Sequence, residues 1–448
     1  MVVAERRSGR DLVRVLGLIF GLAAVVGGAV GQGILRTPGI IAAAVPSPAL
    51  ILLVWIAGAA IAAINAVPFA ELGTSIPQAG GPYVFVRRAF GPTAGIVVGW
   101  SDWLNNVSSQ AFMSVVVAEF IHRLGWGNGL PVGLLAPAAI LLFFALNWTN
   151  TRLCGSSQSF GSILKGSALL ILVVVLFFVP ARHMVAPAGA EATPVVIGLG
   201  AIIVGLRAVQ NTYDGWNNGI YFCEEMHSPE RHIPRALFGG IALVAALYLL
   251  INAALLHVLT PQAMAHSTFA AADALGAVLG PWANTLLTVF GVVSVAAILN
   301  LNVMFGPRIA LAMARDRVLP AGLATVSPGG SPRIALIATT AGAIVLATSG
   351  SYEQLIAFNV ALGVLGNFFV DLAALRLRRT EPALARPWRA PLYPYSILIA
   401  AGINAILLGA LVYEDPVHSL AGTGLAVAIG ISYYGVGRIR RSRLPAQT

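Results

Sequence analysis

From residue 13 to residue 436 the chain returns repeatedly to apolar runs of about 20 residues, the helix length that crosses the hydrocarbon core of a bilayer. In lipid, every backbone N–H and C=O needs a partner within the spanning structure, so runs of this kind become helices. Twelve spans are predicted: near 13–44 (interrupted), 49–72, 92–121, 132–149, 158–180, 195–225 (interrupted), 234–257, 281–311, 333–349, 354–375, 393–412 and 417–436. Only 10% of the residues are charged, against about 25% in soluble domains, too few to coat a water-facing surface. The fold class is an all-α polytopic membrane protein. The basic-then-apolar start resembles a signal peptide but has no clear cleavage site, so it reads as a retained first helix.

The net charge of +10 does not point to nucleic acid, because the arginines sit in short clusters between spans and form no basic face. They report topology instead. With both termini in the cytoplasm, the inner connections hold Arg6, Arg7, Arg10, Arg87, Arg88, Arg152, Arg231 and Arg235. Further along they hold Arg315, Arg317, Arg333, the 376–379 cluster, Arg386, Arg389 and the tail arginines from Arg438 onward. The outer side has Arg123 and Arg182, with Arg36 facing it from the first span. Outer loops are short except 258–280, which has room for a small surface helix. The arginine clusters also suit contact with anionic membrane lipids.

Two spans carry polar centres. The first contains Gly27, Gly28, Gly31, Gln32 and Gly33 at mid-depth. Glycines alone fit close helix packing. A glutamine between two glycines at the centre of a span must face protein or water. Unwinding at 31–33 would turn the positive end of the half-helix that starts near Ile34 toward the gap, an arrangement that attracts a carboxylate. The sixth span contains Gln210, Asn211, Thr212, Asp214, Gly215, Asn217 and Asn218, and is predicted to be non-helical over 211–216. The alternative is a polar packing seam between helices. The two breaks open two blocks of five spans, 13–180 and 195–375, which an odd span number sets in opposite orientation. Matched broken helices in two halves mark the binding site of a secondary transporter. Residues 1–12 and 437–448 are tails, and the last two spans, 393–436, lie outside the repeat.

These segments resemble the amino acid–polyamine–organocation superfamily, close to its L-amino-acid transporter branch. Gly31-Gln32-Gly33-Ile34 is similar to the helix-1 signature of that family. Glu71 to Pro77, Gly80 to Tyr83 and Arg87 to Pro92 resemble the segment after helix 2. Tyr213 to Asn217 resembles the helix-6 break, Glu224-Glu225 with Pro229 to Arg235 the helix 6–7 connection, and Arg308 to Pro320 the end of helix 8. The likeness covers about residues 12 to 375 and weakens afterwards.

The resemblance implies a LeuT-like 5+5 inverted repeat with two extra helices, in the plasma membrane (the inner membrane of a bacterium). It also implies transport of an amino acid by alternating access. The substrate carboxylate would meet backbone N–H groups near Gln32 and Gly33, and its ammonium would meet carbonyls of Gly28 and Asn211. Gly31, Ile34, Thr212, Asp214 and Gly215 complete the implied site. Gln32 stands where the family has a small serine, and Asn211 where many members carry an aromatic gate. A small or medium neutral L-amino acid is the expected substrate, moved by sodium-independent uniport or exchange. Proton-coupled symport, exchange of cationic amino acids or polyamines, and amino-acid sensing without transport are the alternatives.

Lys165, inside the fifth span, has two readings. Its ammonium snorkels to the cytoplasmic interface, or it faces helix 1 where sodium-coupled relatives hold sodium, as the resemblance implies. A fixed cation there would exclude sodium by repulsion and leaves proton coupling open. Asp214 reads as a substrate contact, a stabiliser of the break, or a neutral acid. Arg87, Arg88, Glu224 and Glu225 are candidates for a cytoplasmic ion-pair gate.

No enzyme signature occurs. The seven histidines are scattered, and no H-E-x-x-H, C-x-x-C or P-loop is present. No metal and no cofactor are expected. Cys154 and Cys223 read as packing residues. With no cysteine in the helix 3–4 loop, no covalent heavy-chain partner is expected.

Overall fold

The computed structural model describes residues 11–31, 33–127, 129–178, 198–267, 269–280, 282–349 and 352–414, with scattered helical residues between 416 and 432. Gln32, residues 179–197 and both tails lie outside the described residues.

The described chain is all-helical. Its helices are α1 (Leu18–Ala29), α2 (Gly33–Ala44), α3 (Pro48–Ser75), α4 (Pro82–Phe90), α5 (Pro92–Arg123), α6 (Val132–Thr149), α7 (Thr151–Phe178) and α8 (Leu199–Tyr213). A 3-10 segment, Trp216–Glu225, follows α8. Then come α9 (Pro229–Val258), α10 (Pro261–Ala265), α11 (Ala270–Leu279), α12 (Trp282–Arg315), α13 (Arg333–Ser349), α14 (Tyr352–Thr380) and α15 (Tyr395–Glu414). Helices α3, α4, α5 and α9 each begin on a proline. A first-turn N–H has no helical partner to lose, and the fixed φ of proline suits that position.

Seven of the described helices are long and apolar enough to cross a membrane, and the bent pair α1–α2 makes an eighth. The protein is therefore a multi-span membrane protein, but the count falls below the twelve spans predicted. The shortfall has physical causes. Helix α13 has 17 residues and α8 has 15. Helix α5 is 32 residues long, but a run of polar residues from Ser101 to Gln110 lowers its hydropathy. The 417–436 span falls largely outside the described residues. Large apolar side chains such as Leu142, Phe160, Ile163 and Ile171 are exposed on the outer surface, as a lipid-facing wall requires. The 258–280 loop holds two short helices, α10 and α11, where one was anticipated. Cys154 and Cys223 are buried and unbridged.

Helix α8 packs on α2 and α3. Helix α1 packs on α7, α9 and the 3-10 segment, and α5 packs on α12 and α14. The strand-like residues before α1 clasp the far end of the 3-10 segment: Val15 and Leu16 N–H both donate to Glu225 O at 3.0 Å, and His227 N–H donates to Leu16 O at 2.8 Å. The two broken elements are thus joined at that end as well as at their breaks.

Candidate substrate site between two helix breaks

Helix α1 stops at Ala29 because Val30 turns to an extended ψ of 98°. Helix α2 resumes at Gly33, bent by 49° from α1. The predicted non-helical stretch 31–33 is thus displaced: Gly33 is already helical. In the sixth span the break is narrower than predicted. Asn211, Thr212 and Tyr213 remain helical, Asp214 is extended with ψ 151°, and Gly215 has φ +94°. One left-handed glycine reverses the chain in a single step, so a six-residue unwinding is unnecessary. The polar side chains read as a sign of unwinding instead face a cavity: Asn211 and Asp214 are exposed to it from the end of α8.

The two breaks touch. A Cβ added to Gly215 would lie 2.7 Å from the Gly28 carbonyl carbon and 2.8 Å from its oxygen. A Cβ on Gly28 would lie 2.5 Å from Asn218 Nδ2 and 2.6 Å from Gly215 O. A Cβ on Gly33 would lie 3.2 Å from both the Cγ2 and the Oγ1 of Thr212. Glycine at 28 and 215 is therefore what lets the two backbones meet. Thr37 and Thr212 share a hydrogen bond of 2.7 Å between hydroxyls just beyond the break.

The last carbonyls of a helix have no helical partner. Here side chains supply the missing donors. Lys165 Nζ donates to Gly27 O at 2.5 Å and Val30 O at 2.6 Å. Ser294 Oγ donates to Val30 O at 3.1 Å. Tyr248 Oη lies 2.9 Å from Ala29 O and 3.0 Å from Thr212 O, so one hydroxyl of α9 serves the C-terminal ends of both broken helices. Lys165 is fully buried; the snorkelling reading is overturned, and its ammonium ties α7 to the end of α1. Sequence reading missed Tyr248 and Ser294. Their only signal was a polar group within a largely apolar stretch of helix.

The breaks form part of the wall of a cavity of about 580 Å³. Gly28, Gly31, Gly33, Asn211, Thr212, Asp214 and Gly215 all line it. Ile34 does not: its side chain is fully buried in the core, because the helical turn at Gly33 rotates it about 100° away. The cavity follows α5 from Asp102 to Arg123, a rise of about 30 Å. It carries Arg36, Glu119, Arg123 and Phe269 toward the α10–α11 end.

Beyond the breaks lies a set of ion pairs, with partners other than those anticipated. Glu225 receives Arg308 at 2.6 and 2.8 Å, both nearly inaccessible. Glu224 receives Arg315 at 2.7 and 2.9 Å and the Ala79 N–H at 3.0 Å. Arg87 pairs with Asp316 at 2.9 Å and Arg88 with Glu381 at 2.7 Å. The structure therefore does not bring Arg87 and Arg88 to Glu224 and Glu225. Helix α12 supplies the partners instead, because its basic C-terminal turns pass beside the 3-10 segment. A second buried carboxylate, Glu71, accepts from Arg378 at 2.6 and 2.7 Å and from the Ala390 N–H at 2.7 Å.

Broken helices around a cavity, with arginine–carboxylate pairs below, coincide with a sequence-wide likeness: the profile of the amino acid permease family matches residues 12–435. The chain belongs to the amino acid permease family. The permease is 27% identical over 448 residues to the serine/threonine exchanger SteT of Bacillus subtilis (strain 168), covering 96% of this chain and 98% of that protein. It is 28% identical over 434 residues to the b(0,+)-type amino acid transporter 1 of Mus musculus, covering 95% and 88%. To the large neutral amino acids transporter small subunit 2 of Rattus norvegicus it is 27% identical over 456 residues, covering 97% and 83%.

Proposed function

We propose that this permease is a secondary transporter that exchanges small or medium neutral L-amino acids across the membrane without sodium. The observation that carries the reading is the contact of Gly28 with Gly215 on the wall of the cavity. It sets the N-terminus of α2, with its unpaired first-turn N–H groups, across from the last carbonyls of α8. The α-carboxylate binds the N–H groups around residues 31–34, and the α-ammonium binds the carbonyls of Gly28 and Asn211. Relatives named as exchangers and transporters of amino acids support the substrate class.

The architecture proposed with it is a twelve-span LeuT-like fold: repeats 13–180 and 195–375, followed by spans in 393–436, with both termini in the cytoplasm of a bacterial inner membrane. In that frame the cavity faces outward and the Glu225–Arg308 and Glu224–Arg315 pairs close the inner side. Lys165 stands between α1 and α7 with its amine on the α1 carbonyls, and while it is protonated a second cation in the same low-dielectric site is repelled strongly. Sodium is therefore excluded where a hydration shell would otherwise be replaced by the same carbonyls.

The test is uptake of labelled serine, alanine and leucine into proteoliposomes at zero membrane potential, with and without internal amino acid. Uptake should require internal substrate and persist when sodium is replaced by a large organic cation. A more than tenfold loss on replacement would count against the sodium-independent reading, and no uptake of any amino acid would overturn the function itself.

A further inference from the structure

Helix α14 carries an acid that neither the helix breaks nor the ion pairs use. Asp371 is fully buried. It precedes Arg378 on α14 by about 10 Å of rise, and Asn65 precedes Glu71 on α3 by nearly as much, so both lie deeper than the Glu71–Arg378 pair. Asp371 Oδ2 accepts an N–H of Asn404, on α15, at 2.8 Å. The same amide nitrogen lies 3.3 Å from Asn65 Oδ1. Asp371 Oδ1 has no hydrogen-bond partner. Three helices therefore meet at one carboxyl group, and among the described residues its donor is a neutral amide shared with a second acceptor.

No counter-charge is free to serve it among the described residues. Helix α14 packs on α3, α4, α5 and α15. From α3 comes Glu71, an acid already held by Arg378 and Arg386. On α4, Arg87 pairs with Asp316 and Arg88 with Glu381, and the Tyr83 hydroxyl donates to Asp316. Helix α5 adds Asp102, a further acid, which accepts from Tyr221; its other ionisable groups, Glu119, His122 and Arg123, stand at its far end. The ionisable groups of α15, Tyr395, Tyr413 and Glu414, stand at the two ends of that helix. The nearest arginine along α14, Arg376, lies over the ring of Phe90. Yet the cavity is close by: Asn404 lines it, and so does Asn367, one turn before Asp371 on the same face of α14. An ionised carboxylate in this seam would have neither water nor a cation, a condition that uptake of a proton relieves.

We propose that Asp371 is a proton-binding site, separate from the amino-acid site, through which pH regulates the permease. With the proton bound, α3, α14 and α15 close around a neutral acid. Without it, the charge draws in water from the cavity and parts α14 from α15. Asn367 and Asn404, on the cavity wall, then move with their helices, and exchange slows. The proton is an activating ligand that stays bound through the exchange cycle, not a driving ion, and the site does not depend on which amino acid the breaks hold.

Infrared spectra of the purified permease test the site directly. The carbonyl stretch of a protonated carboxyl group should be present at neutral pH, fade as pH is raised, and be missing from Asp371→Asn. Exchange of labelled alanine in proteoliposomes with the same pH on both sides, so that no proton gradient acts, tests the regulation. The parent should slow toward alkaline pH by up to about tenfold per pH unit, the slope of one lost proton. In Asp371→Asn, which keeps the shape of the neutral acid and cannot ionise, the ratio of alkaline to neutral rate should stay near one whatever the absolute rate. A parent spectrum without a protonated-carboxyl band at neutral pH would overturn the proposal with no variant needed. So would an Asp371→Asn protein with the parental pH profile. A band that vanishes when sodium replaces a large organic cation would make this a metal-cation site and overturn it too.

Discussion

Lys165 Nζ lies 2.6 Å from the carbonyl oxygen of Val30, the residue at which α1 ceases to be helical. The same ammonium reaches Gly27 O on the turn before. A cation from α7 thus occupies the negative end of a broken helix, where it complements the helix dipole and satisfies carbonyls that no helical N–H can reach.

Lys165→Ala should reduce exchange at least about tenfold, since it leaves the Gly27 carbonyl without its side-chain donor, at about 1–3 kcal/mol, and Val30 O with Ser294 alone. Tyr248, Ser294 and the rest of the bundle still hold α1, so the variant should elute as the parent does in size-exclusion chromatography. Uptake by the purified variant in proteoliposomes, set against the elution profile, separates the two effects. Unaltered exchange would reduce Lys165 to a packing residue.

Gly215→Ala should lose substrate binding and destabilise the protein by about 1–3 kcal/mol, because the new methyl meets the Gly28 backbone and φ is left-handed. Gly166→Ala, where nothing lies within 4 Å of the added carbon, should melt at or above the parental temperature. Thermal unfolding in detergent compares them, and equal melting temperatures would contradict the contact between breaks.

Tyr248→Phe keeps the ring that packs on Trp55 and Tyr213 and removes only the hydroxyl shared by Ala29 O and Thr212 O. Stability should fall by about 1–3 kcal/mol, and apparent substrate affinity should weaken because both breaks lose a common tie. Binding and melting measured on one preparation would show whether the two losses travel together.

The ion pairs should differ sharply in strength. Arg308→Leu strands the inaccessible Glu225, a loss of about 3–5 kcal/mol. Arg88→Leu breaks a half-exposed pair and should cost about 1 kcal/mol or less. Equal melting temperatures for the two variants would refute this ranking.

Arg88 also sets a pH signature. Its hydrogen bonds to Glu381 hold that carboxyl below the ordinary glutamate range. A carboxyl lowered by folding stabilises above its unfolded pKa and loses that contribution as pH falls through its folded pKa. The small difference in melting temperature between the parent and Glu381→Gln should therefore be present at neutral pH and vanish below about pH 4. High salt should shrink it at neutral pH. A difference that grows on acidification would reverse the sign.

The sequence by itself determined that this is a helical membrane protein, because apolar runs of spanning length leave the backbone no other way to pair. It also marked both breaks to within a few residues, since Gly31, Gly33 and Gly215 among polar neighbours signal their positions locally. The long-range partners were decided only by tertiary structure. Glu225 with Arg308, Glu71 with Arg378, and Tyr248 with Ala29 and Thr212 are separated by long stretches of chain. Several arginines are equally plausible partners for one glutamate until helix packing selects the one within hydrogen-bond reach. Burial follows the same rule: Lys165 reads alike in sequence whether it snorkels or turns inward, and only the packing of α7 against α1 encloses it. Hydropathy is written residue by residue, whereas a buried charge is stabilised by atoms contributed from elsewhere in the fold.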